Sequence, residues 1–529
     1  MRGAILFFLL CASPSLAERL LVCGYELQST LAGVETDPGD VLGAASIVLT
    51  PVHGGAASAR ANAVAGVRSS FRHYFLSATP ALYARVYVRL EQPVNAKTMF
   101  LLLRRSSAVP AIAWLNLDPQ GQVSARVWVT DYPTNVTLTL GQWHRFDLFV
   151  DERGASGTHV VQLAIDGQTF LLVQGLSLSH IVDQLEVGLN VNAETASSGT
   201  MYFDDVAVNG TVGADENGFP APGQVYLLQP DGPANTPVWT LGDGGAAGID
   251  NWRSVSELPP DDGVTVLESR TNARALDEYT VGPPPPLPGP ASLVALGLRF
   301  AADGTTNRSV GVSMRVGDAG VLLQSPGLSA ATTTFKSNRD DGYLNAPLVA
   351  SRTPDGLAWS AAALTDLRIG IQDADSNARP LMVTNAWAFV EYPVSSEPPP
   401  PVPGSGPPDA GSDAGVSTQD AGPDAGSGTD AGNNSDAGSG SDAGSGSDAG
   451  SGSDAGSGSD AGANSDAGLV PSDGGMVLSD GGVEAPDAGS EPDGGRGPAF
   501  YPVGCACGVE PGWSLLLLAL LFSRRRHAR

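Results

Sequence analysis

Short runs of alternating apolar and polar residues fill the first 395 positions and restrict this part of the chain to β-structure. In Tyr83–Leu90 the even positions are apolar and the odd positions carry tyrosine or arginine, which is the two-residue period of a strand with one buried face. Similar runs occupy Ala111–Leu117 and Val123–Thr130, and Asp166–Gly167 between two apolar runs predicts a hairpin. No convincing helical period is present, so we predict an all-β fold of two β-sandwich domains with jelly-roll-like topology.

Composition changes divide the chain into five segments. Arg2 precedes an apolar core, and Ser15-Leu16-Ala17 fits the small-residue pattern of a secretory cleavage site. In chain order we predict a signal peptide, a first β-sandwich, a second β-sandwich, a disordered linker and a sorting segment, over residues 1–17, 18–210, 211–395, 396–499 and 500–529.

The predicted linker is a low-complexity acidic repeat. Its aspartates recur every six residues from Asp424 to Asp466, within the pattern Asp-Ala-Gly-Ser-Gly-Ser. None of these side chains can build an apolar core, so the segment cannot offset the entropy cost of ordering. The linker also carries much of the chain's net charge of −27, which argues against nucleic-acid binding.

Four short motifs in the first predicted domain occur in an order typical of one superfamily. They are Gly24-Tyr25-Glu26, Gly141–Phe146, Ile165-Asp166-Gly167 and Tyr202–Val206. Together they span nearly all of the first domain, which resembles the concanavalin A-like lectin/glucanase superfamily in its LamG-like jelly-roll forms. The resemblance implies a jelly-roll sandwich but does not specify a ligand.

The same superfamily includes glucanases and polysaccharide lyases, so catalytic motifs matter. The Glu-x-Asp-x-x-Glu string of laminarinase-type glucanases does not occur in this sequence, and neither do the lyase-type signatures. The histidines show no metal-binding spacing. We therefore expect a protein that is not an enzyme, with a polysaccharide hydrolase or lyase that uses an unrecognised site as an alternative.

Strand parity predicts a binding surface on two neighbouring strands. In Ala111–Leu117 and Ser124–Thr130 the odd positions are apolar or small, so Trp114, Arg126 and Trp128 should face away from the core. The loop Pro119-Gln120-Gly121 suits a short hairpin with glycine in the left-handed conformation. This register places Trp114 opposite Arg126 and Trp128 diagonal to Trp114.

A third strand repeats this pattern with Arg85 and Tyr87 on its outward face. Aromatic rings beside arginines can stack on sugar rings and hold hydroxyl or acidic groups. The predicted glycan-binding residues are thus Arg85, Tyr87, Trp114, Arg126 and Trp128. The alternative is that these aromatic residues simply cover the second face of the sheet beneath loops.

Three acidic residues suggest a calcium ion. Glu26 lies in the first predicted strand and the Asp204-Asp205 pair in the last, and these strands commonly lie side by side in jelly rolls. In several carbohydrate-binding members such acids help hold a structural Ca²⁺, and carboxylate oxygens suit this ion. Solvated charges at a sheet edge are the alternative.

The C-terminal segment combines Cys505 and Cys507 with a ten-residue apolar run, Trp513–Phe522, and an arginine cluster. A membrane-spanning helix needs about 20 apolar residues, so the run is short for a permanent anchor. The arrangement resembles the MYXO-CTERM sorting signal of myxobacterial surface proteins, which implies processing by a membrane protease. An ordinary single-span anchor is the alternative.

These observations predict an exported protein, displayed at the cell surface or outer membrane or released after processing. Its expected role is to bind a glycan or matrix component. A structural or adhesive protein that binds other proteins is a further alternative.

Overall fold

The computed structural model describes most of the first 407 residues. The described ranges are 19–29, 41–105, 111–178, 182–211, 213, 215–242, 248–262, 264–270, 274–286, 289–302, 308–330, 335–337, 348–375 and 379–407.

The first sandwich consists of two antiparallel sheets that face each other. In chain order, the strands are β1 Arg19–Cys23, β2 Val41–Leu42, β3 Ala45–Val48, β4 Ser58–Asn62, β5 Ser69–Thr79, β6 Ala81–Gln92, β7 Thr98–Arg104, β8 Ala113–Leu117, β9 Gln122–Val127, β10 Thr130–Thr137, β11 Trp143–Asp151, β12 His159–Ile165, β13 Gln168–Leu176, β14 Val182–Leu189 and β15 Thr200–Asn209. One sheet has eight strands in the order β13-β12-β11-β6-β15-β4-β3, with β1 also paired to β15. The other has seven, in the order β10-β9-β8-β7-β14-β5-β2.

The second sandwich has the same two-layer construction. Its strands are β16 Gly223–Leu228, β17 Pro230–Pro233, β18 Thr240–Leu241, β19 Leu267–Ser269, β20 Leu276–Val281, β21 Leu293–Ala302, β22 Arg308–Val316, β23 Leu323–Gln324, β24 Leu328–Ala330, β25 Lys336–Ser337, β26 Leu348–Ala350, β27 Leu367–Asp373 and β28 Leu381–Pro393. They form a seven-stranded and a six-stranded sheet. A 3-10 turn at Asn251–Val255 and the short helix α1 Ala361–Thr365 complete the described elements. The all-β prediction is confirmed.

The alternating pattern determines which side chains form the first core. On β6 the even-numbered Leu82, Ala84, Val86 and Val88 are fully buried among other apolar residues. Both predicted tight connections also form. Gly121, in the β8–β9 loop, has φ +80°, and the Asp166–Gly167 turn between β12 and β13 has positive φ at both positions.

A third apolar cluster joins the two sandwiches. It combines Val22 and Leu27 of the first sandwich with residues of the second, which include Leu293, Trp387 and Phe389. On β21, and on β28 from Ala386 onward, these odd-numbered residues face away from the second core, which takes the even-numbered ones; Leu381 and Val383 precede a register shift in β28 and lie in the second core. The outer face of the eight-stranded sheet is therefore packed against the outer face of the seven-stranded sheet of the second sandwich.

The chain continues past β28 along the first sandwich. The predicted linker starts at residue 396, yet residues 397–405 contact the eight-stranded sheet through Tyr87, Arg145 and Gln162. The start of the linker is therefore held against the fold. Cys505, Cys507 and the apolar run lie outside the described residues. Within the described residues, no helix has the length and apolar character needed to cross a membrane.

Candidate ligand-binding face

Arg85 and Tyr87 on β6 point away from the first core, as the alternating pattern predicts. The face that they share is closed, because the second sandwich and residues 397–405 lie over it. Their exposed fractions are 0% and 1%. The prediction of an open, ligand-binding surface at these two residues is therefore wrong.

Arg85 belongs to a buried ion-pair cluster at the interface between the sandwiches. Its Nη1 lies 3.0 Å from Oε1 of Glu391 on β28, and Arg19 on β1 contacts Oε2 of the same carboxylate. Burial alone would raise the pKa of Glu391, but Arg19 and Arg85 outweigh it and lower that pKa to about 2. Glu391 is therefore ionised and fixes the second sandwich to the first.

Trp114 and Arg126 lie on the seven-stranded sheet, whose outer face points away from the second sandwich. The predicted register is confirmed, since Trp114 on β8 pairs with Arg126 on β9. The guanidinium carbon of Arg126 lies 5.0 Å from the ring centroid of Trp114, in a cation–π contact. Both side chains are partly exposed, so the pair can contact a ligand.

Trp128 departs from the predicted position. Strand β9 ends at Val127 and β10 begins at Thr130, so Trp128 and Val129 form the turn between them. Trp128 has φ +56° and packs against the first core. Strand parity ends where the strand ends, and the prediction that Trp128 lies diagonal to Trp114 on the outer face is wrong.

The seven-stranded sheet aligns further side chains with this pair. Cross-strand pairing places one residue from each of six strands in a continuous row on the outer face. From β5 to β10 the row is Arg72, Glu186, Leu102, Trp114, Arg126 and Asp131. Leu102 and Glu186 are buried, so an extended ligand laid across the strands would meet the ring of Trp114 between charged side chains of the outer strands.

Glu186 on β14 is buried and pairs with three arginines at one end of the row. Its Oε2 lies 3.6 Å from Arg68, 3.4 Å from Arg72 and 3.5 Å from Arg104, and its Oε1 accepts a hydrogen bond from the Ser70 hydroxyl at 2.5 Å. One carboxylate therefore serves three guanidinium groups.

The row and the arginines around Glu186 carry an excess of positive charge. Their four guanidinium groups against two carboxylates, Glu186 and Asp131, leave a formal charge of +2 on a chain whose net charge is −27. Burial lowers the pKa of Arg68, and repulsion from Arg72 and Arg104 adds to this despite attraction by Glu186. The side chains of these three arginines remain 16–28% exposed, so their donors can meet an anion.

Arg72 and Glu186 were not predicted from the sequence. The alternation that identified the other strands is present in both segments. On β5, Phe71 and His73 face the core while Ser70 and Arg72 face outward. Applying the same parity rule to Ser69–Thr79 and Val182–Leu189 would have placed both residues on this face.

Glu26, Asp204 and Asp205 do converge, as predicted, but on a loop at the edge of the interface between the sandwiches. The backbone N–H groups of Ala56 and Ala57 donate to Glu26. Those of His53 and Gly54 donate to Asp204. Both carboxylate groups are therefore held by the backbone of residues 53–57.

Asp205 is likewise satisfied by nitrogen donors. Its Oδ1 accepts from the Val225 N–H at 2.6 Å, and its Oδ2 lies 2.6 Å from Nδ1 of His53. Burial, followed by repulsion from Asp205 and Glu26, raises the pKa of Asp204 well above its usual value. Within the described ranges, no group of three or more His, Cys, Asp or Glu residues is arranged to hold a metal ion. Because nitrogen donors already occupy these carboxylate oxygens, the donor set does not fit Ca²⁺.

The two acids of the outer face are poorly placed for glycoside hydrolysis. Glu186 and Asp131 lie on strands four steps apart, which is about 19 Å at roughly 4.8 Å per step. Paired catalytic carboxylates of glycosidases lie within about 10 Å of each other. These two acids therefore do not form the carboxylate pair of a glycosidase.

No protein-family model and no curated protein matches the chain. Similar solved structures include a sialidase from Trypanosoma rangeli in complex with the inhibitor DANA, at 13% identity over 36% of this chain and 30% of that one, with a TM-score of 0.25. The alginate lyase AlyC3 is 12% identical over 29% of this chain and 74% of that one, with a TM-score of 0.24.

A third similar structure is the binding domain of Paraclostridial Mosquitocidal Protein 1. It is 13% identical over 36% of this chain and 48% of that chain, with a TM-score of 0.28. The present chain spans less than a third of the sialidase's length. At these TM-scores the likeness carries no argument about function.

Proposed function

We propose that the first sandwich binds an anionic polysaccharide on the outer face of its seven-stranded sheet, without catalysis. The observation that carries this proposal is the row itself. Arg126 stacks on Trp114 at its centre, and three arginines converge on Glu186 at one end. Aromatic rings offer stacking surfaces to sugars, and arginine forks match carboxylate or sulfate geometry.

The two ends of the row suggest how a polymer would lie. Trp114 packs beside a small buried apolar cluster of Met99, Leu102 and Val191, so the partly exposed tryptophan ring is the stacking surface at the centre. Arg72 and Arg104 lie on the strands on either side of β14, and Arg126 lies two strands beyond β7. We infer that one sugar residue stacks at the centre while acidic groups of its neighbours meet arginines.

Affinity electrophoresis of the intact chain tests the ligand class. Native gels would contain polygalacturonate, alginate or neutral dextran, and each would be run at low and at moderate salt. We expect retardation by the acidic polymers alone, weakened by salt because exposed charges are screened over about 8 Å at physiological ionic strength. Since the chain as a whole carries a net charge of −27, a general electrostatic attraction to polyanions is not expected.

Two results would contradict the proposal. Equal retardation by dextran would assign binding to stacking alone. Unretarded migration in every gel would contradict glycan binding and favour the alternative of an adhesin that binds proteins.

Display at the cell surface remains part of the proposal. It rests on the secretion signal, the acidic repeat and the resemblance of the C-terminal segment to a sorting signal. All three lie outside the described residues.

A further inference from the structure

The outer face of the eight-stranded sheet carries a groove that the chain's own residues 397–405 occupy. The segment has the sequence Glu-Pro-Pro-Pro-Pro-Val-Pro-Gly-Ser. Consecutive prolines hold an extended backbone that makes no internal hydrogen bonds, so its carbonyl groups are available to a partner. Side chains of β6, β11, β12 and the loop at His53 contact the segment.

Glu397 anchors one end of the segment. Its Oε2 accepts a hydrogen bond from the Tyr87 hydroxyl at 2.7 Å and lies 3.2 Å from Nη1 of Arg145. Its Oε1 lies 3.3 Å from Nε2 of His53. The His53 ring stacks on that of Tyr87 with centroids 3.7 Å apart. Three donors therefore converge on one carboxylate.

Arg145 also binds the carbonyl groups of the first two prolines. Arg145 donates to the carbonyl oxygens of Pro398 at 2.8 Å and Pro399 at 3.2 Å. Gly167, in the β12–β13 turn, permits this approach, because an added Cβ would collide with the Pro399 oxygen and lie 3.0 Å from Pro398 Cβ.

Gln162 holds the far end of the segment. Its Nε2 donates to the carbonyl oxygens of Val402 at 3.1 Å and Ser405 at 3.2 Å, and its Oε1 accepts from the Gly404 N–H at 2.7 Å. The amide of Gln162 is buried, so these contacts satisfy groups that the sheet itself leaves partly unpaired.

We propose that this groove is a recognition site for an acidic residue followed by prolines, and that it fixes the base of the C-terminal repeat to the first sandwich. The carboxylate sits in a cluster of three donors, and the following carbonyls accept hydrogen bonds from side chains of β11 and β12. Proline-rich segments are well suited to such sites because little conformational entropy is lost when they bind.

Charged groups around His53 make the anchor depend on pH. Burial opposes its protonation, but hydrogen bonds to Asp205 and Glu397 outweigh this and raise its pKa above 6.5. Burial likewise opposes ionisation of Glu397, yet His53 and Tyr87 outweigh it and lower that pKa below 4.5. The charged and titratable groups that face the pair are Asp204, Asp205, Tyr87, Arg85, Arg145 and Asp147.

The sign of the pH effect follows from these directions. Glu397 contributes to the raised pKa of His53, so protonated His53 favours docking, and this contribution is lost as pH rises through the pKa of the docked histidine. A lowered carboxyl pKa stabilises docking above pH 4.5 and is lost as pH falls through the folded-state value. Docking should be strongest at mildly acidic pH above 4.5 and weaker at pH 9, where His53 is neutral.

The direct test supplies the segment in trans. In a full-length variant, residues 397–405 are replaced by a Gly-Ser stretch of equal length, and a fluorescent peptide with the sequence of residues 394–407 is titrated at pH 6. We expect saturable binding of the peptide to this variant, measured by fluorescence anisotropy. Binding to the wild type should be at least tenfold weaker, because its own segment competes. A peptide with Glu397→Gln should also bind the variant at least tenfold more weakly. A folded variant that binds no peptide up to about 1 mM, the effective concentration of a short linker, would overturn the proposal.

A second measurement leaves residues 397–405 unchanged. Gly167→Ala should expel the segment, whereas Gly157→Ala introduces the same left-handed strain, at φ +90° against +80°, with nothing within 4 Å of the new Cβ. Hydrogen exchange at the Gly404 amide should accelerate at least tenfold in Gly167→Ala alone. Equal exchange in both variants would show that the groove does not hold the segment.

Discussion

Glu391 provides a quantitative test of how the two sandwiches are joined. The substitution is Glu391→Gln, which keeps the side-chain volume but removes the charge that Arg19 and Arg85 share. The pKa of Glu391 falls from 4.5 to about 2 on folding. At about 1.4 kcal/mol per pKa unit, this corresponds to ~3 kcal/mol of stabilisation at neutral pH, within the range seen when one partner of a buried ion pair is removed.

The pH dependence follows from the lowered pKa. A carboxyl group with a lowered pKa stabilises the fold above pH 4.5, and the contribution is lost as pH falls towards about 2. Urea unfolding should therefore show the Gln variant to be less stable by about 3 kcal/mol at pH 7 and by less than half of that at pH 3.

Glu91→Gln is the matched control for this substitution. Glu91 also pairs with an arginine of β6, Arg89, but its side chain is 42% exposed. Exposed pairs contribute about 0–1 kcal/mol. If the two variants unfold at the same urea concentration, the cluster around Glu391 does not hold the sandwiches together and the reasoning is refuted.

Three further outcomes are expected. A chelator should leave the melting temperature of the full chain unchanged, because nitrogen donors already occupy the carboxylate oxygens of Glu26, Asp204 and Asp205. A lower melting temperature in the chelator would support the predicted calcium site. Trp128→Ala should lower the free energy of unfolding by about 2 kcal/mol, because the ring packs on the first core, and should leave polysaccharide affinity unchanged. Reduced affinity without destabilisation would show that Trp128 contacts the ligand. Mass spectrometry of protein exported by the native host should lack the segment from about Cys507 onward, whereas an intact end at Arg529 would support a permanent anchor.

Strand parity predicted the directions of side chains well where the strand continued. It placed Trp114 opposite Arg126 and turned Arg85 and Tyr87 away from the core, and the register confirms the first pair. It failed at Trp128 because a two-residue turn replaces the strand there. Parity is a local property, so it holds only as far as the local structure that produces it.

Residues far away in the sequence cover the outward face of β6, and a local sequence pattern cannot show them. Arg85 meets Glu391 across 306 positions of sequence, and Tyr87 meets Glu397 across 310. The composition of residues 396–407 is that of a disordered linker, yet Arg145 and Gln162 supply hydrogen bonds that hold the segment. These contacts depend on the packing of two sandwiches, which a one-dimensional pattern does not contain.

Calorimetric titration of the full-length protein with an acidic oligosaccharide tests the proposed binding face most directly. Arg126→Gln removes the guanidinium that stacks on Trp114, and Arg153→Gln removes an arginine that is 49% exposed and follows β11 of the other sheet. We expect the first substitution to weaken binding about tenfold, as for loss of a charge-assisted contact, with an unchanged melting temperature. The second should leave the affinity as it is. Equal affinities of both variants and the wild type would show that the ligand does not bind on the outer face of the seven-stranded sheet.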